Sequence, residues 1–512
     1  MVREMLRLDS FYCVEESTLS VHKDYPPLIS LWEMLWCNIS GGYSEANLIK
    51  SLHIFELCML LPCFFDRFMG RNQTIVKRLL LIVGTIFAMT AVCLMFDAEK
   101  FATIYIDLIP PMMFAYMFLL VLDSKIDNSI FKVVAILISG FALMMTKQIA
   151  ICYVLLILLA IVLKAFVEHK FCFRTILLSA GLTISGIVSY FLWSIETKRH
   201  SIVGQFDFGK ISPSTMLGIV LGRGGSELQR KTYEKFVDSL VGSGISSCNI
   251  QFSAVQMSIL LLLFILIVAI YFKQSNGIDV LSSPEVICAS TMIVIGIVGY
   301  SLTLMVLYMF CFADGEMAQL ASYGRYMGSF MMGLVLITII ATAHVKVTIT
   351  RQKLSTRDYL ITLAVILVLV SPNKLVALIP QVNRTPPLDS YYQQAVMLSN
   401  LTEDDSNIMI VSGHNFQNTV YIGYYLENRN LQNKYTCEDI ANYCYDKKSL
   451  WDELIDSIAE NDYLYVIDSS DYINKYIGEY AENKVIAEGT LYKVCRSPLC
   501  LKAINNVASL EE

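Results

Sequence analysis

The chain has 512 residues, of which 55% are hydrophobic and 16% are charged, whereas a soluble globular chain carries about 25% charged residues. This composition excludes a single soluble enzyme domain and a disordered chain, and the net charge of −6 gives no basis for binding nucleic-acid phosphates. A polytopic membrane protein with a soluble part remains, because the hydrophobicity is unevenly spread along the sequence.

Apolar segments of membrane-spanning length recur through the first three quarters of the chain. A helix needs about 20 apolar residues to cross the hydrocarbon core of a bilayer, and its backbone groups must be paired within the segment. The sequence predicts ten such helices, at 47–66, 77–96, 104–122, 131–146, 148–167, 175–195, 253–272, 286–311, 326–345 and 359–379. The predicted fold class is therefore a mainly α polytopic membrane helical bundle, with its helical domain at 47–380.

The charges of the short loops predict the orientation of this bundle, because Lys and Arg favour the cytoplasmic side. Positive residues are frequent in one set of loops, at 67–78, 123–131, 167–174, 273–285 and 346–358. In the short loops that alternate with these, the only positive residues are Lys100, Lys147 and Arg325. We therefore expect the first set to face the cytoplasm. Residues 1–46, the large loop 196–252 and everything after about 380 are expected outside.

This topology places the N-terminus outside, yet residues 1–24 are polar and lack the apolar core of a signal peptide. We therefore expect a further membrane helix upstream of Met1, lost through a misassigned start or a truncated gene. The alternative is that the short N-terminal segment crosses the membrane unaided.

The tail at 385–512 is polar, acidic and rich in Tyr and Asn. Strand-like segments at 407–412, 463–468 and 484–495 alternate with helix-like segments at 415–427, 449–460 and 470–481. This alternation predicts a small extracytoplasmic α/β domain after a linker at Gln381–Pro387. Its four cysteines could form disulfides in an oxidising compartment, and zinc is disfavoured because no His or CxxC pair accompanies them. They are Cys437, Cys444, Cys495 and Cys500.

Asp24 directly precedes a rigid Tyr25-Pro26-Pro27 segment and the amphipathic stretch Leu28–Ser40. One interpretation is that Asp24 is the N-cap of a helix lying on the outer membrane surface, with Trp32 and Trp36 at the interface. The other is that Asp24 is a carboxylate held at the membrane face, near a reacting headgroup.

Three more ionisable residues lie where the predicted topology disfavours charge. Asp107 falls at the outer end of a span, and an ionisable group at that depth is a functional hypothesis, although it could simply be solvated. Lys147 and Arg325 are isolated cations in outer loops. They could reach lipid phosphates or hold the phosphate of a ligand. Asp314 and Glu316 are alternative partners for Arg325.

Several short motifs resemble those of bacterial GT-C-type membrane glycosyltransferases, and the resemblance extends over essentially the whole chain. The motifs are Leu8–Tyr12, Lys23–Pro27, Ser40–Ala46, Tyr105–Asp107, Thr146–Gln148 and Ser322–Tyr326. Such enzymes transfer a sugar from a polyprenyl-phosphate donor to an acceptor on the outer face of the plasma membrane. The acceptor implied is a glycan, lipid or protein of the cell envelope.

The resemblance also implies roles for individual residues. Asp107 matches the family's second acidic position, where it would orient the acceptor or a divalent metal, and Asp24 would shape the first-loop helix around the site. We predict both as catalytic residues, with Lys147 and Arg325 binding the donor phosphate. The family's first acidic motif is absent from this sequence and is expected upstream of Met1, which puts independent catalytic competence in doubt.

Three other functions remain open. A lipid-linked sugar flippase or transporter is one, although the sequence lacks paired interrupted helices in matching halves. An O-antigen polymerase or ligase is another, because the loop 196–252 carries several cations and His200. The third is an inactive, N-terminally truncated homologue.

Overall fold

The structure, a computed structural model, describes residues 2–7, 24–68, 106–123, 129–202, 211–242, 244–247, 250–277, 279–312, 314–350, 388–403, 406–413, 416–426, 434–436 and 448–506. These residues form two compact units, one built from the described residues up to 350 and the other from those after 387. The predicted spans at 77–96 and 359–379 and the predicted linker at 381–387 lie outside the described residues.

The first unit is helical. Its helices are α1 Val2–Arg7, α2 Leu28–Ile39, α3 Glu45–Phe68, α4 Ile109–Leu122, α5 Ile130–Met144, α6 Ile151–Val167, α7 Phe173–Arg199, α8 Pro213–Val220, α9 Glu227–Val241, α10 Ala254–Asn276, α11 Pro284–Phe310, α12 Asp314–Gln319 and α13 Tyr323–Thr350. Two short 3₁₀ turns, Ile106–Leu108 and Gln148–Ala150, precede α4 and α6.

Among the described residues, five helices are long and apolar enough to cross a membrane, which indicates a membrane protein. They are Gln148–Val167, Phe173–Arg199, Ala254–Gln274, Pro284–Phe310 and Tyr323–Val345, and each coincides with a predicted span. The spans predicted at 104–122 and 131–146 form the shorter apolar helices Ile106–Leu122 and Ile130–Met144. The segment predicted at 47–66 lies within α3.

Serine hydroxyls mark the starts of the long helices, because they satisfy backbone N–H groups that have no partner in the first turn. Ser129, Ser253 and Ser283 each accept a hydrogen bond from the backbone N–H three residues later, at the starts of α5, α10 and α11. Helix α10 ends at Gly277, whose φ of +67° is the left-handed conformation that glycine adopts without strain.

Helix α4 is almost completely buried. Every residue from Ile109 to Leu122 except Tyr116 is buried, and α4 packs against α3, α5, α6 and α13. Gly333 of α13 allows the close approach, since a Cβ there would lie 3.2 Å from Pro111. Small residues permit such contacts between helices in membranes. The start of α4, and Asp107 just before it, are therefore enclosed by other helices.

The connection 196–252, expected to be one large outer loop, contains the short helix α8, the helix α9 and a hairpin of β1 Ile245–Ser247 with β2 Ile250–Phe252. Three side chains of α9 donate to backbone carbonyls at the end of α11 and in α12. Gln229 reaches Met309 at 3.0 Å, Thr232 reaches Met317 at 3.3 Å, and Lys235 reaches Ala318 at 2.9 Å. These bonds fasten α9 to the helical bundle.

The second unit is a mixed sheet with helices. Its strands are β3 Ile408–Ser412, β4 Lys434–Thr436, β5 Tyr463–Val466, β6 Thr490–Arg496 and β7 Leu499–Asn506, in the order β4-β3-β5-β6-β7. The helices are α14 Leu388–Leu401, α15 Phe416–Tyr425, α16 Lys448–Glu460 and α17 Asp471–Tyr476. Strand β3 pairs in parallel with β4 and β5, and β6 pairs antiparallel with β5 and β7.

The sheet is buried on both faces. Met409 and Val411 of β3 pack in one apolar cluster with Trp451 of α16, whereas Ile408 and Ile410 pack in another with residues of α14 and α15. Residues of a strand point alternately to opposite faces, so a strand buried on both sides is apolar throughout. The α/β architecture expected for this region is therefore present as a five-stranded sheet.

Two details of the tail differ from expectation. The strand predicted at 484–495 begins only at Thr490, because Lys484 and Gly489 adopt positive φ and the chain between them turns. Cys495 and Cys500 lie opposite each other across the β6–β7 hairpin and are free thiols. Cys437 and Cys444 lie outside the described residues.

Glu33 of α2 makes the stability of the first unit depend on pH. Burial raises the pKa of its carboxyl from the ordinary value of 4.5 to about 8. Between these pH values the unfolded chain has released the proton and the folded chain keeps it, so the free energy of unfolding falls as the pH rises.

We therefore expect Glu33→Gln to raise the melting temperature more at about pH 8 than at about pH 5, because the amide cannot ionise. Thermal unfolding of the detergent-solubilised protein at both pH values measures this. Glu45→Gln, in the exposed first turn of α3, is the control. Equal shifts at the two pH values for Glu33→Gln would contradict the prediction.

Candidate functional site

Asp107, Lys147 and Arg325 come together at one end of the first unit. Asp107 lies in the 3₁₀ turn that leads into α4, and its side chain is only 4% exposed. Lys147 Nζ donates to Asp107 Oδ1, and Arg325 Nε lies 3.4 Å from Asp107 Oδ2. One buried carboxylate therefore contacts two cations from distant parts of the sequence.

Local structure positions each member of this cluster. Helix α5 ends at Met144, where the hydroxyl of Thr146 donates to the Leu143 carbonyl at 2.6 Å. Lys147 follows in an extended conformation, so its side chain leaves the helical path toward Asp107. Arg325 lies in the first turn of α13, and its backbone carbonyl accepts a 2.8 Å hydrogen bond from Ser329.

Tyr326 lies beside both cations. Lys147 Nζ and Arg325 Cζ are each 5.0 Å from the centre of its ring, within the range of a cation–π interaction. Arg325 Nη2 also donates to the Tyr326 hydroxyl at 3.2 Å. The Tyr326 backbone carbonyl accepts a hydrogen bond from the Tyr300 hydroxyl, which links this group to α11. Tyr326 therefore helps to hold the cations over Asp107.

Asp24 and Tyr25 lie close to the cluster. Asp24 is 5% exposed, and its backbone carbonyl accepts a 2.8 Å hydrogen bond from the Trp193 indole of α7. Burial raises the pKa of the Tyr25 phenol, and the neighbouring Tyr326 and Asp24 raise it further. Arg325 and Asp107 also act electrostatically on this phenol. Tyr25 therefore stays protonated at neutral pH and keeps a hydroxyl proton to donate.

The structure corrects the interpretation of Asp24 as a helix cap. Helix α2 begins at Leu28, and the N-cap position is Pro27, which has no side-chain hydrogen bond. The residue before a proline disfavours the helical conformation. The Pro26-Pro27 pair therefore places the start of the helix beyond the position that Asp24 could cap. The start of α2 is tied instead to the end of α5, since the Leu28 N–H donates to the Met145 carbonyl at 3.1 Å.

Trp32 of α2 contacts the neighbouring helix α3. The Trp32 indole donates to the Ser51 carbonyl of α3 at 2.8 Å, and its ring packs edge-on against Phe55. Trp32 therefore holds α2 against α3.

The charged residues of this cluster were predicted from the sequence, whereas its tyrosines were not. Tyr25 and Tyr326 both lie within motifs that were recognised, directly beside Asp24 and Arg325. Their position next to a charged residue in an unusual place was the signal by which they could have been predicted as site residues.

A divalent metal does not fit this cluster as it is built. Both carboxylate oxygens of Asp107 face cations, and a metal ion would compete with Lys147 and Arg325 for them. Across the described parts of the chain, no group of three or more His, Cys, Asp or Glu side chains is arranged to hold a metal ion. We therefore derive no step through a metal.

The chain matches no protein-family model, no curated protein and no solved structure. A buried carboxylate, two cations and two phenols can bind an anion and accept or donate a proton at the same place.

The ion pair between Asp107 and Lys147 should be measurable as a coupling energy. Asp107→Asn leaves two partly buried cations without their counter-ion and should cost about 3 kcal/mol of unfolding free energy. In a double-mutant cycle with Lys147→Met, we expect a coupling of about 1–3 kcal/mol. Denaturant unfolding in detergent gives these values.

The exposed pair Lys231–Glu227, 2.7 Å apart on α9, is the matched control. Solvent screens such a pair, so its cycle should show almost no coupling. A coupling for Asp107 and Lys147 that is as small as that of the control would show that the buried contact does not hold in the folded protein.

Proposed function

We propose that this protein is a membrane glycosyltransferase that moves a sugar from a polyprenyl-phosphate donor to a cell-envelope acceptor on the outer face of the plasma membrane. The observation that carries the proposal is the Asp107–Lys147–Arg325 cluster, which places a buried carboxylate beside two cations. The distribution of positive residues among the loops predicts that this end of the bundle lies outside. It therefore supports transfer on the outer face of the membrane.

The proposed reaction needs these groups in a defined arrangement. The acceptor hydroxyl attacks the anomeric carbon of the donor sugar, and its proton passes to the Asp107 carboxylate. The bond between the anomeric carbon and the phosphate oxygen breaks, and its electron pair leaves with the polyprenyl phosphate. Lys147 and Arg325 stabilise the phosphate as negative charge develops on it. The transfer inverts the anomeric configuration.

Both cations contact the Asp107 carboxylate. A phosphate offers more acceptor oxygens and more charge than a carboxylate, and the guanidinium group of Arg binds it through two parallel hydrogen bonds. Donor binding would therefore draw Lys147 and Arg325 away from Asp107. The carboxylate would then be free to accept the proton of the second substrate, which couples donor binding to catalysis.

The neighbouring groups have supporting roles in this proposal. The Tyr25 phenol, held protonated by burial, would donate a hydrogen bond to the donor or the acceptor. Tyr326 would keep the cations in place while their partner changes. Asp24, enclosed beside Trp193, would position Tyr25 and the start of α2 around the substrates.

The described part of the loop 196–252 offers less support for a polymerase or ligase. Lys235 is bonded to the Ala318 carbonyl and Lys231 to Glu227, so these two cations have structural partners. His200 faces Glu196 at 3.2 Å on α7.

The test is transfer by the purified protein in detergent, measured as release of polyprenyl phosphate from a polyprenyl-phosphate hexose. Asp107→Asn should lower the rate by about 100-fold or more, because the general base is lost. Arg325→Lys should lower it less, because a charge remains without the bidentate geometry. Glu196→Gln is the control: it removes a carboxylate near the C-terminal end of α7, and it should leave the rate unchanged.

Sealed vesicles separate transfer from transport. A transferase consumes the donor in detergent, whereas a flippase has measurable activity only across an intact bilayer. Donor movement across vesicles without donor consumption in detergent, or an Asp107→Asn rate equal to that of the wild type, would reject the proposal.

A further inference from the structure

A second charged site lies at the opposite end of the same helices. A cavity of about 170 Å³ is lined by the end of α4, the start of α5, the end of α6 and the start of α7. Helix α4 has 14 residues, which at about 1.5 Å per residue places this cavity about 20 Å from Asp107. The loops at this end, 123–131 and 167–174, are the ones whose charges predict a cytoplasmic position.

The described residues that line this cavity are strongly basic. Lys132, Lys164, Lys170 and Arg174 carry four positive charges and Glu168 carries one negative charge, a difference of +3. Lys132 and Lys164 are 5% and 7% exposed. Charges enclosed in protein are screened less than surface charges, so their attraction for an anion is stronger.

Protein contacts hold these cations in place. Lys132 Nζ donates to the carbonyls of Val121 and Asp123 at 3.0 and 3.1 Å, at the C-terminus of α4. Lys164 and Lys170 share Glu168, at 3.8 and 3.0 Å. Arg174 Nη2 lies 3.4 Å from the Ser129 carbonyl. The cavity therefore has a preformed basic wall with one carboxylate set between two of its lysines.

The start of α7 adds to the positive potential. Arg174 and Thr175 lie in the first turn of this 27-residue helix, and the N-terminus of a helix carries a partial positive charge from its unpaired N–H groups. Cys172, at the N-cap position, lines the cavity and is exposed. Hydrogen bonds from the backbone and hydroxyl of Thr175 and from the backbone of Arg174 lower the pKa of its thiol, so the surroundings of Cys172 favour negative charge at this position.

We propose that this cavity binds the phosphate group of an anionic ligand, supplied by a lipid headgroup of the cytoplasmic leaflet. The cavity is smaller than the roughly 300–1,000 Å³ of a site for a drug-sized molecule, and it fits a headgroup rather than a complete nucleotide. Its position between the ends of membrane helices suits a phospholipid whose chains remain in the bilayer. Basic pockets between helix ends bind phosphate headgroups in this way.

This site is separate from the proposed catalytic cluster and does not depend on it. It shares the rigid helix α4 with that cluster, and no residue of one contacts the other among the described residues. A phosphate bound here would offset the basic wall and hold α5, α6 and α7 together at their cytoplasmic ends.

Cys172 provides a native reporter for the test. The full-length protein is reconstituted into vesicles of phosphatidylcholine with increasing fractions of phosphatidic acid. The rate of alkylation of Cys172 by N-ethylmaleimide is followed by mass spectrometry of its peptide. We expect phosphatidic acid to slow the alkylation, because a bound headgroup covers the thiol and its charge opposes the thiolate.

Matched variants separate the cavity from general surface charge. In Lys170→Gln/Arg174→Gln, the fraction of phosphatidic acid needed for half-maximal protection should rise about tenfold, because two charge-assisted contacts are lost. Lys273→Gln removes an exposed cation at the end of α10, at the same predicted face, and should behave as the wild type. Rates are normalised to those of each variant in phosphatidylcholine alone.

Inorganic phosphate added to phosphatidylcholine vesicles tests the source of the group. Protection by phosphatidic acid alone supports a lipid ligand. Equal protection by inorganic phosphate would show that the cavity binds phosphate but that its ligand is soluble rather than a lipid. No protection of the wild type by either, or the same protection in the double variant and the wild type, overturns the proposal. The outcome is independent of glycosyl transfer, which is measured at the other end of the bundle.

Discussion

The buried contact of Asp107 with Lys147 and Arg325 is the constraint that organises the first unit. An isolated carboxylate enclosed among apolar helices would cost several kcal/mol, so its burial requires cations at fixed positions. The cations come from the α5–α6 connection and from the start of α13. The contact therefore joins segments that are far apart in the sequence, and the aromatic rings of Tyr25 and Tyr326 complete their surroundings.

The charged members of this cluster could be selected from the sequence because each violates a simple rule. Asp107 falls at the end of a predicted apolar span, and Lys147 and Arg325 are cations in loops that are predicted to face outside, where cations are disfavoured. Their mutual contact could not be deduced, since it depends on how α4, α5 and α13 pack. Tyr326 was missed for the same reason. A tyrosine at the end of a membrane helix is common, and only the residues around it in the folded protein reveal its role.

Helices and strands could be predicted from the sequence where the hydrophobic pattern of the segment alone determines its structure. The five long apolar helices and the buried strands β3 and β5 have strong hydrophobic patterns, and the structure has them where they were expected. The N-cap assigned to Asp24 failed because the conformational restriction of two prolines outweighed the capping preference of the carboxylate. Strand β7 was not expected, since its polar residues resemble a loop and its pairing with β6 is a tertiary property.

The two charged sites divide the chemistry of the first unit between its ends. At the end expected outside, the Asp107 carboxylate is held between two cations, which in the proposed reaction exchange it for the donor phosphate. At the other end, cations surround a cavity and one carboxylate only partly offsets them. The helices between the two sites are almost entirely apolar, so each site acts through its own local contacts.

The enclosure of α4 also has a consequence for biosynthesis. During translation α4 emerges well before α13, so it is first surrounded by lipid on the side that α13 later covers. Its apolar side chains tolerate that interval, whereas Asp107 at its end has no arginine partner until residue 325 has been synthesised. The docking of α13 onto α4 therefore completes the surroundings of Asp107 only late in synthesis.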